Sequence, residues 1–377
     1  MMTREQFLND LKAALAGMKE EEREGVIAYY AEMIDDRMEA GMTEEAAVNA
    51  MEPVKEIASR VLEEAGVGES KAQPSSKDNW QEIRRPAEAI RELRIQAENK
   101  RVHISSAEGA QEVSLRYCIG SNDIFRLHED DGVLTLEHKM RPITSFVNEK
   151  SGDGITLESI LSGVGKFISS LGERVTGGVF SNDSGDNEIE ITVPETFCAR
   201  LSAATSNARI LAENLVLTQP LRLATCNAHI QAEDVDCAQD ITLATSNSRI
   251  VLNDVNVNAA KLATSNGRIV LDDMIVRGEL TAVNSNGGIK ISDCQIGGAL
   301  TATTSNGAIA LDETNSPNIT LKTSNGAIGG TLKGVREEYT VTSSTSNANN
   351  LLGNFGSGEK TLRAVTSNAP ITLKFEE

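Results

Sequence analysis

A chain of 377 residues has room for more than one domain and for a sizeable buried core. Its 36 Lys and Arg against 55 Asp and Glu give a net charge of −19, which repels phosphate backbones and excludes nucleic acid as the expected partner. Aromatics are 3 % of residues and glycines number 30, so a core has to be built from Ile, Leu, Val and Ala, and platforms for stacking sugars are scarce.

The first residues, Met1-Met2-Thr3-Arg4-Glu5, lead straight into an acidic amphipathic pattern, without the basic and apolar regions of a secretion signal. No run approaches the roughly 18 apolar residues of a membrane span. Five cysteines, Cys118, Cys198, Cys226, Cys237 and Cys294, show neither even pairing nor a CxxC spacing, which argues against a disulfide framework or a zinc site. The expected compartment is the cytoplasm, with membrane contact at most peripheral, at the inner face.

Thr3 and Gln6 form a capping box, and Phe7, Leu8, Leu11 and Leu15 recur at helical spacing as far as Gly17. A second helix is expected from about Lys19 to Ala40, with Val26, Ile27, Tyr30, Ile34 and Met38 on one face and Gly41 as its stop. Thr43 caps a short third helix. Pro53 opens a fourth, striped by Val54, Ile57, Ala58 and Val61 up to Gly66. Residues 1–66 are thus predicted to be a small α-helical bundle, and residues 1–70 hold 7 basic and 17 acidic side chains. Such charge fits a solvated face or a docking module for another protein.

The segments Met2-Thr3-Arg4-Glu5-Gln6-Phe7-Leu8-Asn9-Asp10-Leu11, Ala28-Tyr29-Tyr30-Ala31-Glu32 and Glu52-Pro53-Val54-Lys55-Glu56-Ile57-Ala58 resemble the HAAS-type helical signalling domain of bacteria, over about residues 2–65. That resemblance implies a regulatory setting and a protein partner for the head. Residues 67–82, rich in Gly, Ser, Lys, Gln and Pro around Pro74-Ser75-Ser76, read as a flexible linker.

The dominant signal is a repeat. Thr-Ser-Asn or a close variant ends at Asn207, Asn227, Asn247, Asn266, Asn286, Asn306, Asn325, Asn347 and Asn368, a nearly constant period. Three residues after each Asn comes Ile, in Ile210, Ile230, Ile250, Ile269, Ile289, Ile309, Ile328 and Ile371, broken only by Asn350. A second aliphatic precedes most of these Asn by six residues, as in Leu201, Leu221, Ile241, Leu280, Leu300, Ile319 and Leu362. Alternation of this kind predicts two or three short strands per rung of about 20 residues, which is a β-solenoid. At about 4.8 Å per rung, nine rungs make a rod of roughly 40 Å. The Asn are predicted to stack as an amide ladder, and Gly267, Gly287, Gly307 and Gly326 just after them to serve a turn needing positive φ. A leucine-rich horseshoe shares the period, but its L-x-L-x-x-N spacing and helical return are absent.

Residues 181–377 are assigned to the regular repeats, opened by Ile189-Glu190-Ile191-Thr192-Val193-Pro194. Residues 83–180 are read as irregular first rungs, from Ile90, Leu93, Ile95, Val102, Ile104, Val113, Leu115, Tyr117, Leu134 and Leu136. They carry an amphipathic insert at 158–176 marked by Ile160, Leu161, Val164, Phe167, Ile168 and Leu171. Together these strands and the Thr-Ser-Asn-Gly repeats resemble the bacterial putative-adhesin β-strand repeat family, also called toastrack domains, over about residues 83–377. The resemblance implies a fold and brings no catalytic residues with it. The overall expectation is a multidomain α plus β protein: a small helical head and a large solenoid.

Two residues after the Asn, Arg209, His229, Arg249 and Arg268 are expected to form a basic column pointing outward. Acidic residues follow at the next corner: Glu213, Glu233, Asp254, Asp272, Asp293 and Asp312. A cross-rung charge lattice and a surface stripe that binds an anion or a glycan are the two readings of this pattern. Calcium is disfavoured because the glycine-rich nonapeptide of β-rolls is missing. Enzymes on β-helices need converging carboxylates with aromatic platforms. Here the acids repeat along the axis, the single Trp80 lies beside the linker, and only His229 among four histidines lies in the repeats. No catalysis, cofactor or metal is therefore expected. The expected role is an interaction scaffold in bacterial envelope-stress or regulatory signalling, with a surface adhesin or glycan-binding protein as one alternative and a polysaccharide lyase or glycosidase as another.

Overall fold

The computed structural model describes residues 3–16, 43–49, 80–120, 123–140 and 187–376, with positions 23, 26–27, 30–31, 34, 51, 53–55 and 57–58. The chain divides into two compact units, one containing the described helices and the other all the described strands.

In the helical unit, Arg4–Ala14 begins at Thr3, whose Oγ1 accepts from Gln6 N at 3.2 Å while Gln6 Oε1 accepts from Thr3 N at 3.1 Å. The reciprocal pair satisfies two of the donors that a helix start leaves open. Phe7, Leu11 and Leu15 face inward and meet Tyr30, Ile34, Ala47, Val48, Ile57 and Ala58 in one apolar cluster. Glu44–Asn49 is the second described helix, with Thr43 Oγ1 accepting from Ala46 N at 3.3 Å. Most of the helices expected at 19–40 and 53–66, the linker as far as 79 and the insert at 158–176 lie outside the described residues. Strand structure begins at Trp80, inside the stretch read as linker.

The β unit consists of two long sheets whose strands alternate along the chain. The first runs, in spatial order, through Trp80–Pro86, Glu112–Cys118, Glu188–Pro194, Arg101–Ala107, Ile210–Leu217, Ile230–Cys237, Ile250–Val257, Ile269–Val276, Ile289–Ser292, Ile309–Thr314, Ile328–Lys333 and Ile371–Glu376. The second runs from Asp123–Asp130 through Val133–Met140, Glu92–Ala97, Arg200–Thr205, Leu221–Thr225, Ile241–Ala244, Ala260–Ala263, Leu280–Val283, Ala299–Thr303, Asn318–Lys322 and Lys360–Val365 to Tyr339–Ser344. Parallel register sets Ile210 opposite Ile230, then Ile250, Ile269, Ile289, Ile309, Ile328 and Ile371, each at most 1 % exposed. Burying one such side chain contributes about 1.5–3 kcal/mol, so the stacked columns dominate the stability of the unit.

The strands read as irregular first rungs do not all continue the parallel stack. Trp80–Pro86 and Glu112–Cys118 pair antiparallel, the latter is antiparallel to Glu188–Pro194, and Asp123–Asp130 is antiparallel to Val133–Met140. Asp131 and Gly132, at φ 44° and 74°, make the tight reversal that returns the chain beside itself, and a reversed neighbour can only pair antiparallel. The far end has its own irregularity. The strand Lys360–Val365 pairs with Asn318–Lys322, and Tyr339–Ser344 lies outside it, so the last two repeats stack in inverted order.

Cys118, Cys237 and Cys294 are buried, Cys226 is half-buried and Cys198 is exposed, all as free thiols. Burial pushes the thiols of Cys226 and Cys237 up, and that of Cys294 to about 12. Ellman's reagent at pH 8 is therefore expected to titrate Cys198 quickly, the half-buried Cys226 slowly, and the three buried thiols only on unfolding. Fast modification of Cys294 in the native chain would contradict its placement.

Candidate functional site

The corner between the sheets carries the most regular chemistry. Asn227 Nδ2 donates to Asn207 Oδ1 at 2.5 Å, and the same bond repeats from Asn247 to Asn227 at 2.6 Å and from Asn266 to Asn247, Asn286 to Asn266, Asn306 to Asn286 and Asn325 to Asn306 at 2.7 Å each. Because the last repeats are inverted, Asn368 donates to Asn325 and Asn347 to Asn368, both at 2.6 Å. The ladder also has a member outside the Thr-Ser-Asn repeat. Asn207 Nδ2 donates to Asn99 Oδ1 at 2.5 Å, although Asn99 follows Glu98 and not the usual Thr-Ser. Threonines brace the corner from inside: Thr245, Thr264, Thr304, Thr323 and Thr366 each donate Oγ1 at 3.0 Å to a carbonyl of the neighbouring repeat.

The glycines after these Asn do not serve positive φ. Left-handed backbone falls at the acidic corner instead, at Asn214, Asp234, Asp254, Asp273, Asp293 and Glu313, with φ between 43° and 53°. Asn and Asp tolerate that conformation best among residues with a Cβ, so part of the acidic pattern answers a backbone demand. Gly267, Gly287, Gly307 and Gly326 are needed for closeness: a Cβ on Gly287 would lie 2.0 Å from the Gly267 carbonyl oxygen.

Arg209, His229, Arg249 and Arg268 each precede a column isoleucine, so the strand register stacks them in one half-buried column. The register adds Arg101, one residue before Val102, which pairs with Ile210. Burial lowers the pKa of Arg249. Of the expected acidic corner, Glu213, Glu233, Asp272 and Asp312 are the fourth residues of the same strands, whereas Asp254 and Asp293 are the left-handed residues one step further on. Four residues of strand, about 13 Å, separate the basic column from these acids, and the two run as parallel stripes. Glu213 is held by His103 Nε2 of the adjacent strand at 2.9 Å.

Beside the first rung lies a buried polar cluster that no motif announces. Lys100 Nζ sits 2.6 Å from Asp123 Oδ2, and His138 Nε2 is 3.0 Å from Asp123 Oδ1. Lys100 and His138 are 4 % and 2 % exposed. Phe125 covers the group, its ring 4.6 Å from that of His138 and 5.8 Å from Lys100 Nζ. Burial pushes the Asp123 carboxyl up, but hydrogen bonds from His138, Lys100 and the Gly120 N–H outweigh it and hold the group well below the usual carboxylate range. Lys100 O accepts from Thr205 Oγ1 at 3.1 Å, which ties the cluster to the start of the ladder. Among the described residues no three His, Cys, Asp or Glu group as a metal site requires, and no helix is long and apolar enough to cross a membrane.

The sequence pattern of the toastrack DUF4097 family matches residues 90–374. The chain belongs to the toastrack family. Residues 6–60 match the HAAS family, so a HAAS domain precedes the toastrack domain. No curated protein matches the chain. Its fold was also compared with a crystal structure described as a "putative cell adhesion protein" from Clostridium sporogenes ATCC 15579. The two share 8 % identity over 79 % of this chain and 99 % of the other, and the TM-score of 0.22 is too low to inform fold or role.

In toastrack terms the corner is a spine: amide ladder, threonine brace and closely apposed backbones. Substituting Gly287→Ala drives a methyl group into the Gly267 carbonyl and to 2.8 Å from Asn284 Nδ2, which itself donates to that carbonyl at 2.6 Å. The expected loss is about 1–3 kcal/mol in urea unfolding. Gly288→Ala, where the nearest atom is 3.2 Å away, should cost distinctly less.

Proposed function

We propose that this protein is a non-catalytic β-solenoid scaffold, built of rungs of one repeat each, acting in bacterial envelope-stress or regulatory signalling. The reading has the HAAS head engage a protein partner while the toastrack rod presents an extended periodic surface, on the cytoplasmic side. What carries it is the register: the same side-chain columns recur on successive strands, giving a long surface of uniform chemistry suited to an elongated ligand. Chemistry on a substrate needs groups that converge, and the charged groups of the outer face run parallel to the axis. The column of Arg101, Arg209, Arg249 and Arg268, with His229 among them, favours an anionic ligand, such as an acidic glycan, on that face.

The test is in-cell crosslinking with mass spectrometry on the intact chain and on a variant carrying Glu5→Lys, Asp10→Lys and Glu45→Lys, three exposed positions of the head. A protein partner crosslinked to the head of the wild type and lost from the variant supports the scaffold. No head partner, with the chain found on the cell exterior, would turn the reading to an adhesin. Reproducible cleavage of pectin, other polyuronates or peptidoglycan, lost in Asp272→Asn, would replace it with an enzyme.

A further inference from the structure

The sequence contains four Asn-Gly pairs, Asn266-Gly267, Asn286-Gly287, Asn306-Gly307 and Asn325-Gly326, and all four stand in the ladder. Asn before Gly is the pair most prone to lose its amide, because nothing on the glycine hinders its backbone nitrogen from reaching the side chain. That nitrogen attacks the side-chain carbonyl carbon of the Asn, a C–N bond forms, and the amide departs as ammonia with the proton of the glycine N–H. Water then opens the cyclic imide to aspartate or isoaspartate, so that a neutral donor becomes an anion. All four Asn are exposed, and the water for the second step is at hand.

The corner opposes the first step. Each of the four amides is held at both ends: Asn286 Nδ2 donates to Asn266 Oδ1, and Asn286 Oδ1 accepts from Asn306 Nδ2, both at 2.7 Å. Asn266, Asn306 and Asn325 likewise have a ladder neighbour on each side, the last through Asn368. The attacking nitrogens are held as well. Gly267, Gly307 and Gly326 donate their N–H to Oγ1 of Thr264, Thr304 and Thr323 at 3.3, 3.3 and 3.2 Å. Gly287 donates to Asn284 Oδ1 at 3.1 Å, Asn284 standing where the other repeats have Thr. These acceptors are buried and fixed in turn, as Thr304 Oγ1 donates to Gly287 O at 3.0 Å. Nor can the glycines swing aside, since a carbonyl of the neighbouring repeat lies against each of them.

We propose that the amide ladder and the acceptors behind it hold these four corners against imide formation, and that loss of one amide hands the reaction on in one direction only. With Asn306 turned into a carboxylate, the bond from Asn325 Nδ2 stays and gains charge assistance. The bond to Asn286 Oδ1 is lost, because a carboxylate has no N–H to give and sets its own oxygens against that carbonyl. Asn286 is then held only by its bond to Asn266 and reacts next, while Asn325 is spared. Conversion therefore travels toward lower residue numbers and slows where Asn247 is followed by Ser248. The proposal is independent of the scaffold reading.

The test follows amide loss at each Asn by peptide mapping of the intact chain in mildly alkaline buffer, folded and in urea. The four sites are expected to convert at least about tenfold more slowly in the folded chain. Thr304→Val removes the acceptor of the Gly307 N–H and should speed Asn306 about fivefold, the worth of one hydrogen bond, with Asn266 unchanged. Thr304→Ser keeps the hydroxyl and should keep the wild-type rate. Asn306→Asp should speed Asn286 about fivefold and leave Asn325 unchanged. Equal rates in the folded chain and in urea, all four sites speeded alike by Thr304→Val, or Asn306→Asp acting on both neighbours equally or on neither would each overturn the proposal.

Discussion

Ile269→Asp is expected to unfold the toastrack unit. Ile269 is fully buried between Ile250 and Ile289 in the central column of the first sheet, with only aliphatic neighbours along that column. A carboxylate there has no partner and no water, so the substitution combines the desolvation of a charge with the loss of a large apolar side chain. The sum exceeds about 5 kcal/mol, in the range of a whole domain's stability. Strands in a stack gain their stability from their neighbours, so a break in the middle separates two half-stacks instead of fraying one end. Far-UV circular dichroism of the purified variant should lose its β signal. Val270→Asp, one residue on and turned outward, should cost less than about 1 kcal/mol. If the two results were reversed, the register described above would be wrong.

Asp123→Ala is expected to cost about 3–5 kcal/mol, because it leaves the Lys100 ammonium buried beside Phe125 without its counter-charge. The pair Lys100→Met with Asp123→Leu removes both charges together and should recover most of that loss, a difference that urea unfolding of the three variants resolves. The acid limb follows from the same group. Asp123 binds its proton less readily folded than unfolded, so its contribution is complete above the ordinary carboxylate pKa of about 4 and drains away as the pH falls below it. Wild type should lose stability below pH 4 more steeply than the double variant. Parallel curves would show that the cluster does not govern acid stability.

The parallel stack is legible because its cause is local and repeated: an inward Ile three residues after a corner Asn leaves the same mark in every repeat but the one that carries Asn350. The corner glycines are legible as glycines but not in their reason, since close approach and positive φ both select Gly and only the backbone separates them. Asn99 escaped because its bond to Asn207 depends on where the first rung lies, not on a Thr-Ser before it. Lys100, Asp123 and His138 stand far apart along the chain and share no motif. An antiparallel return, set by the reversal at Asp131 and Gly132, brings them together. The inversion of the last two repeats left almost no trace, because the steps from Asn325 to Asn347 and from Asn347 to Asn368 are barely longer than those before them.

That inversion separates the order of layers from the order of synthesis. From Arg200 to Lys333 each strand of the two sheets can dock onto a completed neighbour as it leaves the ribosome, but Tyr339–Ser344 emerges before the strand it must rest on. Residues 360–365 then have to enter between two layers already made, as Glu188–Pro194 enters between Glu112–Cys118 and Arg101–Ala107 at the other end. A proteolytic cut in the Gly356–Gly358 stretch would therefore remove an inner layer and strand the outer one, so that a single nick strips two layers where an orderly stack would lose one.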